Sequence, residues 1–335
     1  MDNLTHTAIG LFLSRAGLKG WTPRATPILL LAANAPDVDV LSGLGGSLNY
    51  LHYHRHLTHS LAAMPLMAAA VVVIVRFAGR KPIHWVGAFC AALAGLASHL
   101  LLDWTNVYGI RLLLPFSGDW LRLDVTNVID LWIWAALLLG LLAPLLARLV
   151  GSEITSGTLR TPHHGRTAAI LVLLFVLLYN SGRGVLHARA VSTLDSRIYQ
   201  EQPSLRVAAV PGPANPLRWR GLVETRDFFA IGDIDLAGSF DSSRMAIYQK
   251  PEPNPALDAA RRTATFQDFL RFSQFPMWRV LPVAEPENGM EVDVLDLRFG
   301  TPAAPGFMAS AVVDAQFRVV RTSFQFGPIP GSKSD

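Results

Sequence analysis

Imidazole and carboxylate side chains are concentrated in three short signatures of an otherwise apolar stretch. The signatures are Asn34-Ala-Pro-Asp37-Val-Asp39, His52-Tyr-His54-Arg55-His56-Leu-Thr58-His59-Ser60 and His99-Leu-Leu-Leu-Asp103. Polar groups of this kind are costly to hold near hydrocarbon, and they therefore indicate a functional site. Histidine and aspartate also bind zinc and similar divalent metals. The sequence thus predicts a metal site, of zinc or another divalent ion, inside a membrane protein.

The composition supports a membrane location. Of the 335 residues, 51% are hydrophobic and only 16% are charged, whereas soluble domains carry roughly 25% charged residues. The apolar excess lies before residue 186, which favours membrane spans over one large soluble core. No basic run with interleaved aromatic residues occurs in the sequence, which excludes nucleic acid as a partner. The first residues lack a basic n-region, so we expect no cleaved signal peptide.

Residues 1–186 are predicted to form a membrane-embedded helical domain. Residues 4–18 and 25–36 are apolar segments joined by a basic turn with Gly17, Gly20 and Pro23, which predicts an N-terminal helical hairpin. Four further apolar segments are long enough to be spans: 61–77, 83–103, 128–147 and 167–186. We therefore expect a multi-span bundle.

The distribution of positive charge predicts an orientation. Lysine and arginine are most frequent in the connections 15–24, 76–81 and 148–166, and alternating crossings place all three on one face. Basic connections face the cytoplasm. The prediction is therefore a multi-pass protein of the inner, cytoplasmic membrane, with the polar signatures and the C-terminal domain on the non-cytoplasmic side.

Residues 187–335 have the composition of a soluble domain. Alternating apolar and polar residues predict strands, and residues 255–274 have the apolar spacing of one helix. The strands are expected near 218–225, 244–249, 290–297 and 316–324. Together these elements predict an antiparallel α+β domain.

The candidate metal ligands differ in how well their spacing supports them. His99 and Asp103 are four residues apart on a predicted helix, so both side chains face one ion. Asp37 and Asp39 follow Pro36, and in an extended segment both would face the same side. We expect at least one of these two carboxylates to bind the metal, and the alternative is a turn at a helix end.

The histidine-rich signature offers more histidines than one ion can bind. In a helix, His52, His56 and His59 would share one face, and His54 would point elsewhere. His59 is the first choice as a ligand and His54 is the second, whereas the other two are expected to be solvated.

His6, at the open end of the predicted hairpin, is a further candidate ligand. Its position opposite Asp37 and Asp39 favours this over the ordinary packing of a lone histidine.

Three neighbouring polar residues have alternative interpretations. Arg55 would bind an anionic substrate such as a phosphate, or extend to lipid headgroups. Thr58 and Ser60 are expected to cap a helix and not to act as nucleophiles. Asp130 lies inside an apolar segment, which indicates a polar partner such as a histidine near the metal.

Taken in order, these motifs resemble the YdjM-like family of membrane-bound metal-dependent hydrolases. The motifs that carry the resemblance are His6-Thr, Asn34-x-Pro-Asp37-x-Asp39, His54-Arg-x-x-Thr-His59-Ser and His99-x-x-x-Asp103, within residues 1 to about 130. Their order is also similar to that of zinc-dependent phospholipase C. That similarity implies zinc ligation by Asp37 or Asp39, His59, His99 and Asp103, with His6 on another ion. No His or Glu ligand pair follows Asp103 as in the phospholipase.

Two hypotheses of different class follow. In the first, the protein hydrolyses a phospholipid or lipid-linked phosphoester with metal-activated water. Asp37 or Asp39 orients that water or acts as base, and Arg55 neutralises the charge of a phosphate. The catalytic residues expected are Asp39 and Arg55. In the second, the metal is structural and the C-terminal domain binds a partner. An open coordination position would favour the first hypothesis. The sequence does not fix the oligomeric state.

Overall fold

The computed structural model describes residues 1–79, 82–154 and 164–326. The basic connections 76–81 and 148–166 therefore lie partly outside the described residues. The chain divides into two units, and the predicted boundary between residues 186 and 187 stays a prediction. The first unit is Met1–Asp39, Arg55–His187 and Pro211–Pro216, and the second is Val40–His54, Ala188–Val210 and Leu217–Asp335.

The described α-helices are numbered in chain order. They are α1 (Asn3–Ala16), α2 (Ala25–Ala32), α3 (Ser47–Tyr53), α4 (Met64–Phe77), α5 (Trp85–Thr105), α6 (Leu131–Ile154), α7 (His164–Asp195), α8 (Pro255–Arg261) and α9 (Ala264–Phe272). Shorter 3₁₀ helices include Ala35–Gly45 and Leu57–His59.

The N-terminal helical hairpin is present. Asp2 begins α1 by accepting hydrogen bonds from the backbone N–H groups of Leu4 at 3.1 Å and Thr5 at 3.0 Å. This is a helix N-cap, which satisfies donors that the helix itself leaves open. Gly17, with a φ of 152°, ends the helix and turns the chain toward α2. The predicted hairpin is therefore confirmed.

Helix α2 packs closely against both α1 and α5. A Cβ atom at Gly10 of α1 would lie 2.9 Å from the carbonyl oxygen of Leu29, and one at Gly95 of α5 would lie 2.8 Å from the Cβ of Ala32. Both positions thus need glycine because of the close approach of α2. Gly95 is one helical turn before His99, so this packing fixes the position of His99 relative to the C-terminal end of α2.

Two clusters of buried apolar side chains join helices of the first unit, among the residues that the structure describes. One joins α2, α4 and α5 and includes Leu29, Val72 and Leu96. The other joins α1, α6 and α7 and includes Phe12 and Ile133. Each helix of the N-terminal hairpin therefore contributes to one of these clusters.

Two described helices are long and apolar enough to cross a membrane: Trp85–Thr105 and Gly165–Asp195. Up to four crossings are possible if two bent helix pairs each count as one, namely Ala25–Ala32 with Ala35–Gly45 and Ser47–His59 with Met64–Phe77. The predicted span over 61–77 is shorter than expected, because α4 begins only at Met64. The number of crossings and the orientation stay predictions.

The second unit contains antiparallel sheets, as predicted. Its strands are β1 (Ile198–Tyr199), β2 (Gln202–Pro203), β3 (Arg206–Pro211), β4 (Arg218–Glu224), β5 (Phe228–Asp235), β6 (Ala246–Gln249), β7 (Pro276–Val283), β8 (Gly289–Asp296), β9 (Phe307–Val313) and β10 (Val319–Phe326). One four-stranded sheet has the order β3-β4-β5-β6, the other has the order β10-β9-β8-β7, and β1 pairs with β2. The fold class, a helical membrane domain followed by an antiparallel α+β domain, is confirmed.

The predicted single helix over 255–274 is wrong. The structure has α8 and α9 with a break at Arg262, because the Thr263 side chain accepts a hydrogen bond from Phe266 N and starts a new helix. Phe266, Phe269 and Phe272 then form one buried face of α9. The sequence periodicity predicted helix correctly but did not reveal the cap.

The close approach of α2 and α5 gives a first prediction. Gly95→Ala should lower the free energy of unfolding by about 1–3 kcal/mol, because overpacking forces neighbouring groups apart. Gly184→Ala, in α7, is the matched control, since nothing lies within 4 Å of the added Cβ. Helix propensity alone would make that control more stable by roughly 0.5–1 kcal/mol. Thermal or denaturant unfolding in detergent measures the free energy of unfolding of both variants. Equal changes in the two variants would contradict the close packing at Gly95.

Candidate metal centre

Four buried side chains from three elements converge in the first unit. Asp37 comes from the 3₁₀ helix after α2, His59 from the 3₁₀ turn Leu57–His59, and His99 and Asp103 from α5. One ligand atom from each of the four lies within 4.8 Å of the others. This arrangement can hold a metal ion.

The distances within this group are short and similar. The Nε2 atoms of His59 and His99 are 3.1 Å apart. His59 Nε2 lies 3.4 Å from Asp37 Oδ1 and 3.4 Å from Asp103 Oδ2. His99 Nε2 lies 3.6 Å and 3.4 Å from the same two oxygens. The side chains of both histidines and of Asp103 have no exposed surface, and that of Asp37 is only 6% exposed.

The other ring nitrogen of His59 contacts the Asp39 carboxylate. His59 Nδ1 lies 3.0 Å from Asp39 Oδ2. The same oxygen accepts hydrogen bonds from Thr58 Oγ1 at 2.7 Å and from the backbone N–H of Arg55 at 2.8 Å. An ionised carboxylate only accepts hydrogen bonds, so the proton of His59 belongs on Nδ1. Asp39 therefore fixes the orientation of His59.

His99 is oriented in the same way by a backbone group. His99 Nδ1 lies 2.8 Å from the carbonyl oxygen of Ala33, at the end of α2. A carbonyl also only accepts hydrogen bonds, so Nδ1 donates here. A ligating histidine usually donates its other ring N–H to such an acceptor.

The contacts of His59 Nδ1 and His99 Nδ1 show whether the four side chains suit a cation. With both protons on Nδ1, the two Nε2 atoms present lone pairs to each other and to the oxygens of Asp37 and Asp103. Within the described residues, Asp103 Oδ2, which lies 3.4 Å from both Nε2 atoms, has no hydrogen-bond partner. Buried acceptors without a donor are costly, and a cation between them removes that cost. The donor set and the buried acceptors therefore fit a metal ion.

Arg55 is fully buried and supports Asp103. Its Nη2 lies 3.1 Å from Asp103 Oδ1, and its Nη1 donates to the side-chain oxygen of Asn106 at 3.2 Å and to the carbonyl of Gly109 at 3.1 Å. The guanidinium also stacks on the ring of Tyr108. The backbone φ of 56° at Arg55 is left-handed. That conformation brings its N–H to Asp39 and its side chain to Asp103, and the alternative of extension to lipid headgroups is wrong.

His6 lies beside the group. Its ring stacks on His99 with centroids 3.8 Å apart, and its Nε2 is 3.4 Å from Asp103 Oδ1. Within the described part of the chain, neither of its ring nitrogens has a hydrogen-bond partner. The Met1 amine also pairs with Asp103 Oδ1. His6 therefore lies beside Asp103 and His99, and its predicted position opposite Asp37 and Asp39 and its role as a ligand stay predictions.

The helical interpretation of residues 52–60 is wrong. Helix α3 ends at Tyr53, and His59 lies in a separate 3₁₀ turn. His54 caps the end of α3 in the second unit, where its ring stacks on Tyr50 at 4.5 Å. In the same unit His52 Nδ1 lies 3.1 Å from Asp268 Oδ1. The local turns thus separate the histidines that a helix would have aligned.

Two further expectations about polar residues are corrected. The segment with Asp37 and Asp39 is a 3₁₀ helix and not extended, so the two carboxylates take different positions relative to His59. Ser60 and Thr58 are not the cap of α4, whose N-cap is Ala63.

Asp130 has a partner, but it is Tyr179. The tyrosine hydroxyl lies 3.2 Å from Asp130 Oδ2, and the other carboxylate oxygen accepts from the N–H groups of Trp132 and Ile133. The expected histidine partner is therefore wrong.

The sequence interpretation overlooked Asn106. Its side-chain nitrogen donates to Asp103 Oδ1 at 3.3 Å, and its oxygen accepts from Arg55. The available signal was its spacing, because Asn106 follows Asp103 by three residues at the end of α5.

The fold and the site define a class: a membrane protein whose helical region carries a buried His–Asp cluster that can hold a metal ion. Residues 1–190 match the model of the YdjM inner membrane protein family. The chain belongs to that family, as its motifs predicted.

The C-terminal part matches a second family model. Residues 255–326 match the YfhP C-terminal alpha/beta plait domain. The chain is also 23% identical, over 325 residues, to the uncharacterized protein YfhP of Bacillus subtilis (strain 168), covering 92% of this chain and 90% of that protein. No solved structure matches the chain. The similarity to zinc-dependent phospholipase C stays a prediction.

The contacts of Asp39 give a second prediction. Asp39→Asn should weaken metal binding by about 10- to 100-fold, the usual cost of losing a partner that orients a ligand. Competition with a chelator measures this affinity. Thr58→Val is the matched variant, because it removes one donor to Asp39 and keeps the carboxylate, and it should cost less. If Asp39→Asn lost the metal as completely as His59→Ala, Asp39 would be a ligand and the orienting role would be contradicted.

Proposed function

We propose that this protein is a membrane-bound hydrolase that uses a divalent metal ion, zinc, held by Asp37, His59, His99 and Asp103. The observation that carries the proposal is the convergence of two unprotonated imidazole nitrogens and two carboxylates in a buried, apolar setting. The ligand types suit zinc, since imidazole and carboxylate are among its usual ligands.

The size of the group also supports zinc. A tetrahedral ion with bonds of about 2.0–2.1 Å separates its ligand atoms by about 3.4 Å. An octahedral magnesium ion would separate neighbouring ligands by about 2.9 Å. The five separations measured between the histidine nitrogens and their neighbours range from 3.1 to 3.6 Å. They are closer to the tetrahedral value.

The ion, when bound, would supply Lewis-acid activation of a water molecule near neutral pH. The general base is then Asp37, because its Oδ2 has no hydrogen-bond partner among the described residues, whereas Asp39 Oδ2 already accepts from Thr58 and Arg55. Asp37 is also more exposed than His59 or His99, which makes it the side from which a substrate would approach. Asp39 acts through His59 and does not itself take a proton in this scheme.

Arg55 is assigned to charge compensation and not to direct phosphate binding. Its Nη atoms already bond to Asp103, Asn106 and Gly109. Its positive charge offsets the negative charge of Asp103. A phospholipid or lipid-linked phosphoester on the non-cytoplasmic side fits this position, because the ligands lie at the end of α5, a helix long enough to span.

The alternative function is a non-enzymatic membrane protein with a structural metal and a partner-binding C-terminal unit. One observation favours it: four protein ligands can close a tetrahedral shell, and structural zinc sites are of this closed kind. The two functions differ in whether the ion keeps an exchangeable water. Hydrolysis of a substrate therefore separates them directly.

The test combines metal content with phosphodiesterase activity on vesicles of mixed phospholipids. The protein is purified without chelator, and His99→Ala with Asp103→Ala is compared with the unchanged chain. His84→Ala is the matched control, because His84 lies on the exposed N-terminal end of the same helix. The expected result is about one bound zinc and lipid hydrolysis in the unchanged and control proteins, and loss of both in the double variant.

Two outcomes would contradict parts of the proposal. Metal that remains bound in the double variant would mean that these residues are not the ligands. Metal lost in the double variant, with no hydrolysis by any of the proteins on any phospholipid class, would favour the structural ion.

A further inference from the structure

A loop with an exposed apolar tip is attached directly to the metal centre. The 110–121 loop follows α5 and is closed at its base by two hydrogen bonds of 2.9 Å between the backbones of Ile110 and Leu121. Immediately before it, the Gly109 carbonyl accepts from Arg55, which in turn contacts Asp103. The base of the loop is therefore fixed to residues that surround the ligands.

The tip of the loop is held in one conformation by its own backbone. The N–H groups of Phe116 and Ser117 donate to the carbonyl oxygen of Leu113 at 2.9 and 3.1 Å. Within the loop, Arg111 Nε also donates to the Gly118 carbonyl at 3.1 Å. This turn presents its apolar side chains outward, and Phe116 is 90% and Leu113 is 43% exposed.

The other side chains of the loop suit a lipid–water interface. The Arg111 guanidinium lies over the ring of Trp120, and that ring contacts Tyr108 edge-on. Tryptophan, tyrosine and arginine are the residues that anchor proteins at the headgroup level. An exposed phenylalanine at the tip adds apolar area that would enter the acyl-chain boundary.

The position of the loop in the chain also points to a lipid surface as its partner. It begins five residues after Thr105, the last residue of a helix long enough to span, and α6, also apolar, starts at Leu131. A segment between two apolar helices, with its base bonded to the end of one of them, lies at the level where that helix leaves the bilayer. A soluble partner is not needed to cover Phe116.

We infer that the 110–121 loop inserts its tip, Leu113 and Phe116, into the lipid surface beside the metal centre. This inference rests on the proposed placement of that centre at the membrane surface. The loop would hold the metal centre, to which its base is joined through Arg55 and Asp103, at the level of the headgroup layer, where a lipid substrate lies.

The test measures depth with spin labels on single cysteines. Cys90, the one cysteine of the chain, is replaced by alanine. Labels are then placed through Phe116→Cys and Leu113→Cys at the tip, and through Asp119→Cys as the control. Asp119 is exposed in the same loop and polar, so its label should stay in water. The proteins are reconstituted in phosphatidylcholine–phosphatidylglycerol vesicles, and collisions with oxygen and with a water-soluble nickel chelate are compared.

The expected result is an oxygen-to-nickel collision ratio several-fold higher at positions 116 and 113 than at 119. An equal ratio at all three positions, whether low or high, would overturn the inference. Metal content of the labelled proteins is measured in parallel. A bound metal with a water-exposed tip would reject the loop insertion and leave the proposed function standing, whereas absence of metal in the unlabelled protein would reject the proposed function instead.

Discussion

Four acceptor groups that repel one another are held together in the first unit, and the surrounding structure must keep them in place. Asp37, His59, His99 and Asp103 direct lone pairs or negative charge at one another in a region where apolar residues dominate. Such an arrangement is costly without a cation, because water is excluded from it. The surrounding contacts can be understood as a frame that keeps these groups together against that repulsion. The Arg55 guanidinium is part of this frame, since it supplies one positive charge beside Asp103.

The frame is built mainly from backbone positions. The close approach of α2 to α5 at Gly95 brings the Ala33 carbonyl to His99. The left-handed conformation at Arg55 turns the chain, so that one backbone N–H reaches Asp39. Asp39 then orients His59. A change in any of these elements would therefore affect the metal through geometry, without touching a ligand.

The sequence predicted those features that depend on local spacing. His99 and Asp103 share one face because four residues make about one helical turn, and the apolar segments located the helices and the two-part organisation. The different contacts of Asp37 and Asp39 could not be predicted, because the two residues lie in a 3₁₀ helix and contact His59, which is distant in the sequence. The same holds for the histidines at 52 to 59, where the helix ends at Tyr53 and a turn follows. Long-range contacts, and not composition, decided that His59 lies beside the carboxylates of Asp37, Asp39 and Asp103.

The most direct test of the metal centre is X-ray absorption spectroscopy at the zinc edge, on protein purified without chelator. The account predicts a first shell of five nitrogen and oxygen atoms at about 2.0–2.2 Å, four from the protein and one from an exchangeable water. It also predicts outer-shell scattering from two imidazole rings. A shell of six oxygen atoms without imidazole scattering, or a protein that binds no metal at all, would contradict the account.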